Sequence, residues 1–225
     1  NVWGYEGSTG DVDWSWDYHR MINTFRKYPK VAGWLYTEHH DVINEWNGYW
    51  RFDRTKKFTG LDDIFPGMSD KDFHSDIYLS TGNDICKNVK GGETFNVPLF
   101  ISVMSGKTFK NDQLYIDYTV DFFVKTGETK IVTTGKTSFS YQPWMQQELE
   151  AIKIQVPDES GLGIVKLTLK DADGRVLHHN FIHFVAQSAQ LKSNITILEV
   201  QAKDFKNSSW TGKSWNILDG FKVNG

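Results

Sequence analysis

The sequence predicts a mainly β protein in which an antiparallel β-sandwich follows a short helix–strand segment. Three observations lead to this prediction. Apolar residues recur at helical spacing up to Pro29, and an uninterrupted apolar run follows this proline. Beyond about residue 59, the apolar residues recur at every second position instead. Turn residues separate these alternating stretches, as in sheets with one buried face.

The first predicted element is a helix that Asp13 or Ser15 caps and that runs to about Lys27. Its apolar face would comprise Tyr18, Met21, Ile22 and Phe25. The run Val31–Leu35, in "KVAGWLY", then predicts a strand buried on both faces, as in a parallel sheet. A helix followed by such a strand is a fragment of α/β architecture, because ~30 residues cannot form a sheet alone.

The stretch "RTKKFTGLDDIFPG" predicts a linker, after which alternation marks the strands. The clearest are "TFNVPLFISVM" and "LYIDYTVDFFV", and further strands are expected near 130–134, 151–156, 164–169 and 175–185. The sequence "DADG", Asp171 to Gly174, predicts the hairpin turn between the last two. About seven strands at this spacing predict an antiparallel β-sandwich of immunoglobulin-like size.

Composition excludes several classes of protein. A net charge of -3, a pI near 6.2 and scattered Lys and Arg give no reason to expect a nucleic-acid partner. The single Cys86 forms no internal disulfide framework, and the longest apolar runs are far shorter than the ~20 residues of a membrane span. Six of the nine tryptophans lie in the first 54 residues. Such density is typical of a packed core or of a sugar-binding cleft.

The candidate site follows the predicted buried strand. Glu38, His39, His40 and Asp41 fall at its carboxyl end, where ligands bind in α/β sheets and barrels. Carboxylates there can bind sugar hydroxyls or act as acid and base in glycosidic cleavage. The alternative is that His39 and Asp41 pair within a loop while the tryptophans fill the core. "HHNFIH" and "DADG" lack the spacing of metal ligands, so the sequence implies neither a metal nor another cofactor.

The stretch "FRKYPKVAGWLYTEHHDVINEWNGYWRFDRTKK" resembles the end of the catalytic (β/α)8 barrel of glycoside hydrolase family 2, the β-galactosidase and β-glucuronidase group. The resemblance covers residues 14–57, and family members also carry immunoglobulin-like domains around the barrel. It implies a retaining glycosidase in which two glutamates ~5 Å apart act as acid/base and nucleophile. The acid/base would follow the fourth barrel strand, outside this chain. The nucleophile would end the seventh strand, and is either Glu6 or a residue before Asn1.

The same resemblance implies a set of substrate-binding residues. Tyr36 matches the last-strand aromatic that faces the sugar, Glu38, His39 and Asp41 follow it on the rim, and Trp46 would flank the aglycone side. The substrates would be β-glycosides in oligosaccharides or polysaccharides. The resemblance further implies a bacterial protein in an extracytoplasmic location, periplasmic or secreted.

The predicted domains are the end of the barrel over 1–57, the sandwich over 58–190, and the start of a further β module over 191–225. In the last of these, "SWNILDGFKVNG" resembles the opening of a sugar-binding jelly-roll module. We expect the chain alone to be inactive and a homodimer to form through the barrel remnant, unless that remnant packs on the sandwich. The alternatives are a carbohydrate-binding module, for which Trp144 is the only sandwich tryptophan, or a structural spacer.

Overall fold

The structure, a computed structural model, describes residues 13–42, 45–124, 126–188, 207–210 and 221–224. These residues fall into two compact units. The sandwich unit contains Asp13–Leu35 and the described part of Thr59–Leu191. The loop unit contains Tyr36–Phe58 and two short strands near the C-terminal end of the sequence.

Two sheets form the sandwich unit. Its strands are β1 (Ile77–Ser80), β2 (Cys86–Lys90), β3 (Thr94–Val103), β4 (Gln113–Val124), β5 (Thr129–Ser140), β6 (Gln146–Gln155), β7 (Gly161–Lys170) and β8 (Val176–Gln187). One sheet has the order β1-β3-β6 and the other β2-β8-β7-β4-β5. Strand β2 pairs parallel to β8, whereas the other neighbours pair antiparallel. The predicted β-sandwich is therefore confirmed.

The alternation in the sequence correctly identifies the core face of the two most regular strands. On β3, Val97, Leu99 and Ile101 are fully buried. On β4, Leu114 and Phe122 are fully buried as well, and both strands belong to one apolar core between the sheets. The "DADG" turn also lies where it was predicted, since Gly174 has φ +83° and its N–H donates to the carbonyl of Asp171 at 3.1 Å. A positive φ favours glycine, which explains its place in this turn.

Helix α1 (Ser15–Lys27) has the predicted bounds. The Asp13 carboxylate accepts a hydrogen bond from the Ser15 N–H at 2.9 Å, which satisfies an otherwise free donor at the start of the helix. The second oxygen of Asp13 accepts the Gly60 N–H at 2.8 Å. Through these bonds, Asp13 ties the start of α1 to the chain segment that leads into the sandwich.

The buried face of α1 is largely polar and packs on the sandwich. His19 Nε2 lies 2.6 Å from Asn180 Oδ1 on β8. Asn23 Oδ1 accepts hydrogen bonds from the Asn180 side chain and from the Thr81 N–H, each at 2.9 Å. The Asn180 amide also donates to the carbonyl of Leu79 on β1 at 2.6 Å. These bonds join the helix to one strand of each sheet.

Arg26 completes this contact at the end of the helix. Its guanidinium donates to the carbonyl oxygens of Ser75, Asp76 and Ser102 at 3.1, 3.1 and 2.8 Å. The residue is 2 % exposed, and burial lowers its pKa to about 10. A charged group in such a place requires hydrogen-bond acceptors, and three backbone carbonyls supply them.

Several expectations about the barrel remnant are not met. The predicted strand Val31–Leu35 forms neither helix nor strand, and the Leu35 side chain is 90 % exposed. A single buried strand needs neighbours to pair with, and none of the described residues supplies one here. The barrel is therefore not confirmed. The homodimer was predicted because the barrel remnant would expose an apolar surface. In the structure, the sandwich covers the inner face of α1.

The predicted linker is also ordered and packed. It contains the short helix α2 (Leu61–Ile64), and a second short helix, α3 (Asp70–Phe73), follows before β1. Leu61, Met68 and Phe73 are each 2 % exposed or less. The loop unit ends at Phe58, and α1 belongs to the sandwich unit together with α2 and α3.

The C-terminal part of the sequence contributes an antiparallel pair of strands, β9 (Asn207–Trp210) and β10 (Phe221–Asn224). The remainder of the predicted 191–225 module lies outside the described residues. None of the described helices is long and apolar enough to span a membrane.

Candidate functional site

The candidate site is the loop of residues 36–58, within the loop unit. Short β-bridges connect His40 with Trp50 and Trp50 with Lys56. The Asp41 N–H donates to the carbonyl of Trp50 at 2.9 Å, and the Tyr49 N–H donates to the carbonyl of His39 at 3.1 Å. These bonds fold the first half of the loop back on the second half.

A buried ion pair lies inside the loop. The Lys57 ammonium is 2.7 Å from Asp41 Oδ1, and the two side chains are 2 % and 7 % exposed. The same oxygen accepts the Gly48 N–H at 3.0 Å, while Lys57 also donates to the carbonyl of Trp46 at 2.7 Å. Asp41 was predicted to contact sugar on the rim, but its side chain is buried and its Oδ1 bonds to Lys57 and Gly48 within the loop. The alternative prediction, pairing within the loop, describes the Asp41 side chain.

The turn at Asn47–Gly48 has a steric requirement for glycine. A Cβ atom at position 48 would lie 2.3 Å from the carbonyl carbon of His40. Real side chains do not approach a backbone so closely, so only glycine fits at this point of the loop. The Asn47 amide donates to the carbonyl of Thr37 at 2.6 Å and supports the turn further.

Tyr36 is fixed within the loop on two sides. Its ring stacks on Tyr49 with the centroids 4.2 Å apart, and its hydroxyl donates to the carbonyl of Asn47. Tyr49 thus covers one face of the ring that was predicted to face the sugar. Any role of Tyr36 in stacking would have to use its opposite face.

The surroundings of Glu38 favour the protonated form of its carboxyl group. One of its oxygens is buried without a hydrogen-bond partner, and the side chain lies beside that of Glu45. Burial, followed by the neighbouring carboxylate, raises the pKa of Glu38 above its usual value. A carboxyl group in this environment is more easily protonated, and in that form it can donate as well as accept.

His39 and Trp46 provide the exposed part of the loop. Trp46 is 48 % exposed, and the His39 ring, also exposed, stacks on Trp50 with the centroids 6.3 Å apart. Both residues were predicted to bind substrate, and both are accessible to a ligand. Glu6, the candidate nucleophile, lies outside the described residues.

Sequence reasoning missed Lys57, which is the residue that holds the loop together. The stretch "RTKK" carries no sign of burial, because a lysine at a predicted domain boundary has the pattern of a solvated charge. Within the described ranges, no group of three or more His, Cys, Asp or Glu side chains is placed to hold a metal ion. Among the histidines of "HHNFIH", His178 and His183 are buried in the sandwich unit, as core histidines.

Comparisons with known proteins leave the family of the chain open. No family model matches it, and no curated protein is similar to it. One similar structure is that of AlkC, an alkylpurine DNA glycosylase of Pseudomonas fluorescens. The match covers 51 % of this chain and 31 % of the AlkC chain, at 15 % identity and a TM-score of 0.35. The sporulation control protein Spo0M of Bacillus subtilis matches 51 % of this chain and 49 % of its own, at 14 % identity and a TM-score of 0.36.

A glycosyl hydrolase family 2 member from Bacteroides cellulosilyticus is also similar. The match covers 42 % of this chain and 12 % of the hydrolase chain, at 16 % identity and a TM-score of 0.30. The described residues define a β-sandwich protein that carries a braced loop rich in aromatic and acidic residues.

Proposed function

We propose that this chain is the C-terminal part of a retaining glycoside hydrolase that acts on β-glycosides in carbohydrate degradation, with a β-galactosidase-like activity. The observation that carries the proposal is the braced loop 36–58. Its Asp41–Lys57 ion pair fixes the backbone from inside, while Trp46 and His39 remain exposed. A loop with an internal brace can hold these side chains in a defined geometry. The resemblance of residues 14–57 to the end of a family 2 barrel supports a position beside the sugar.

Three side chains of the loop have distinct roles in this proposal. Trp46 stacks on a pyranose ring of the substrate, because a flat indole matches the C–H face of a sugar. Glu38 donates a hydrogen bond to a sugar hydroxyl, which its raised pKa favours. His39 adds a further polar contact. Glu6 or a glutamate before Asn1 is the nucleophile, and the acid/base belongs to a part of the parent protein outside this chain.

The sandwich unit is, in this proposal, an immunoglobulin-like domain that follows the barrel and braces it. The parent enzyme is periplasmic or secreted and requires no cofactor. The chain alone hydrolyses no aryl β-glycoside, because it lacks half of the catalytic pair. Measurable turnover by the pure chain, lost on substitution of one of its glutamates, would contradict this part of the proposal.

The gene provides the first test. Sequencing upstream of the codon for Asn1 should reveal an open reading frame of several hundred codons, with a glutamate after a fourth predicted barrel strand. A start codon or signal peptide directly before Asn1 would mean a small complete protein and would exclude the proposed catalysis.

Kinetics of the parent enzyme provide the second test. Glu38→Ala should lower kcat/KM for an aryl β-glycoside about ten- to a hundredfold, the effect of losing one hydrogen bond to a charged or polar group. Trp46→Ala should mainly raise KM. Phe52→Ala is a matched control, because Phe52 lies in the same loop and is 61 % exposed but has no proposed role. Equal effects of all three substitutions would show that the loop is not a substrate subsite.

The alternative function is a non-catalytic carbohydrate-binding or structural module with the sandwich as its working part. One observation favours the binding form of this alternative. Trp144, the only tryptophan in the predicted sandwich domain, is 69 % exposed.

A further inference from the structure

The turn between β5 and β6 places a tryptophan where glycine is the usual residue. The Met145 N–H donates to the carbonyl of Gln142 at 3.4 Å, which closes a four-residue turn. Pro143 occupies the second position and Trp144, with φ +61°, the third. Proline followed by a residue with positive φ is the pattern of a type II turn, whose third position favours glycine or asparagine. A tryptophan there is strained, and such strain is concentrated at functional sites.

The turn itself is firmly anchored. The Trp144 N–H donates to the carbonyl of Ser105 at 3.2 Å. Tyr141, which precedes the turn, and Met145, its last residue, are 3 % and 6 % exposed and belong to the apolar core. Its surroundings therefore hold the strained backbone in place, so the Cα of Trp144 has a fixed position on the surface.

The indole ring contributes little to the core. It is 69 % exposed, and it runs alongside the backbone of Gly106, where a Cβ atom would lie 3.6 Å from Nε1. A side chain that buries little area cannot offset the strain of its own backbone through packing. Glycine at position 144 would satisfy the turn better, so the fold alone does not explain the tryptophan.

A charged residue follows Gly106, the glycine that the ring contacts. The Lys107 ammonium and the Asp76 carboxylate form an exposed ion pair at 2.9 Å. The backbone of Lys107 is fixed from both sides, because its N–H donates to Ser105 Oγ at 3.2 Å and its carbonyl accepts the Tyr141 hydroxyl at 2.8 Å. Ser105 thus fixes the backbone of both Trp144 and Lys107, so the two residues extend from one anchored part of the surface.

We propose that Trp144, with Lys107 and Asp76, forms a carbohydrate-binding surface on the sandwich, separate from loop 36–58, and that its ligand is a neutral β-linked oligosaccharide. The indole stacks on one pyranose ring, while the ion pair hydrogen-bonds its hydroxyls. The apolar core of a protein interface would need further apolar neighbours. Among the described residues 76, 105–109 and 141–147, Trp144 is the only exposed large hydrophobic side chain. A nucleic acid would need unpaired cations, and Asp76 neutralises Lys107.

NMR titration of the 225-residue chain tests the proposal directly. The chain is labelled with ¹⁵N, and cellohexaose, xylohexaose and maltohexaose are each added to several millimolar. The β-linked hexaoses should give saturable shifts of the Trp144 indole signal, which is identified by its absence in Trp144→Gly, and of the Gly106 and Lys107 amides. Trp144→Gly should weaken binding, followed at those two amides, at least tenfold.

Thermal unfolding separates a ligand-binding role from a structural one. Trp144→Gly should have a melting temperature equal to or above that of the unsubstituted chain, because the backbone strain is released. Ile131→Ala, which shortens another exposed apolar side chain of the same unit, should leave the sugar titration unchanged.

Four results would overturn the proposal. They are the absence of saturable shifts with either β-linked hexaose, equal binding by Trp144→Gly, a lower melting temperature for that variant, and shifts of the Trp144 signal on simple dilution. The last result would assign the surface to a second copy of the chain. None of these results depends on loop 36–58, so failure here leaves the proposed glycosidase subsite intact.

Discussion

The contact between α1 and the sandwich should make the stability of the sandwich unit depend strongly on pH. Two histidines are buried in or beside this contact, and burial lowers the pKa of His19 from 6.5 to about 4 and that of His178 to about 3. His19 donates through Nε2 to Asn180 Oδ1, an oxygen that also accepts the Phe181 N–H. His178 Nδ1 accepts the Leu79 N–H at 3.3 Å, so the bond requires that nitrogen to be unprotonated.

Other charges near these histidines modify the effect without reversing it. After burial, Asp72 acts to raise the pKa of His178, while the Arg26 guanidinium and the histidines His179 and His19 lower it. For His19, the hydrogen bond to Asn180 raises the pKa, and His183 lowers it. Burial outweighs these contributions in both cases.

The direction and size of the pH effect follow from linkage. Above pH 6.5 both imidazoles are neutral in the folded and the unfolded chain, so stability is at its full value. Below pH 6.5 the unfolded chain binds protons that the folded chain excludes, and stability falls until the folded pKa values are reached. Between pH 7.5 and 5.0, each histidine lowers the free energy of unfolding by about 2 kcal/mol. The two together lower it by about 4 kcal/mol, a large part of the stability of a typical domain.

Urea unfolding at pH 7.5, 6.0 and 5.0, followed by circular dichroism of the β signal, measures this loss. His19→Gln should make this loss smaller by about 2 kcal/mol, because the contribution of His19 is removed while a hydrogen-bond donor toward Asn180 is kept. His39→Gln is the matched control, since His39 is exposed and lies in the loop unit. A free energy of unfolding that stays within about 1 kcal/mol between pH 7.5 and 5.0 would refute the reasoning.

Two further substitutions test the buried charges. Lys57→Met leaves Asp41 buried without its partner, so the loop should lose about 3 to 5 kcal/mol and the Gly48 amide should exchange with deuterium at least a hundredfold faster. Adding Asp41→Asn should restore most of the protection, and unchanged exchange in the single variant would contradict the brace. Arg26→Met should destabilise the sandwich unit by about 3 kcal/mol or more, because three backbone carbonyls lose their hydrogen-bond donor. A urea midpoint equal to that of the unsubstituted chain would show that these bonds are dispensable.

The elements that could be predicted from the sequence are those whose residue pattern directly reflects burial or a helix end. The strands β3 and β4 have one face in the core and one outside, so strict alternation marks both. Helix α1 could be located by its start signals and by Pro29. Its partner could not be predicted, because a face that carries His19, Asn23 and Arg26 has no apolar pattern that points to a sheet.

The failures have physical causes of the same kind. Val31–Leu35 has the composition of a buried strand, but composition cannot show whether neighbouring strands exist to pair with it. Strand β2 was missed because it is an edge strand with mostly exposed, polar side chains, and its parallel pairing with β8 joins residues about 100 positions apart. In the candidate site, the acidic and aromatic content was evident from the sequence. The burial of Asp41 was not, because it depends on Lys57, a lysine with no local sign of burial.

The long sequence separation within the α1 contact has a consequence for biosynthesis. Asn23 bonds to Asn180, which is synthesised 157 residues later. At about 5 to 20 residues per second, roughly 8 to 30 seconds pass between the appearance of the helix and that of its partner strand. During this interval the docking face of α1 lacks its native cover. The helix can therefore reach its final contacts only after β8 has left the ribosome, however early its own residues are made.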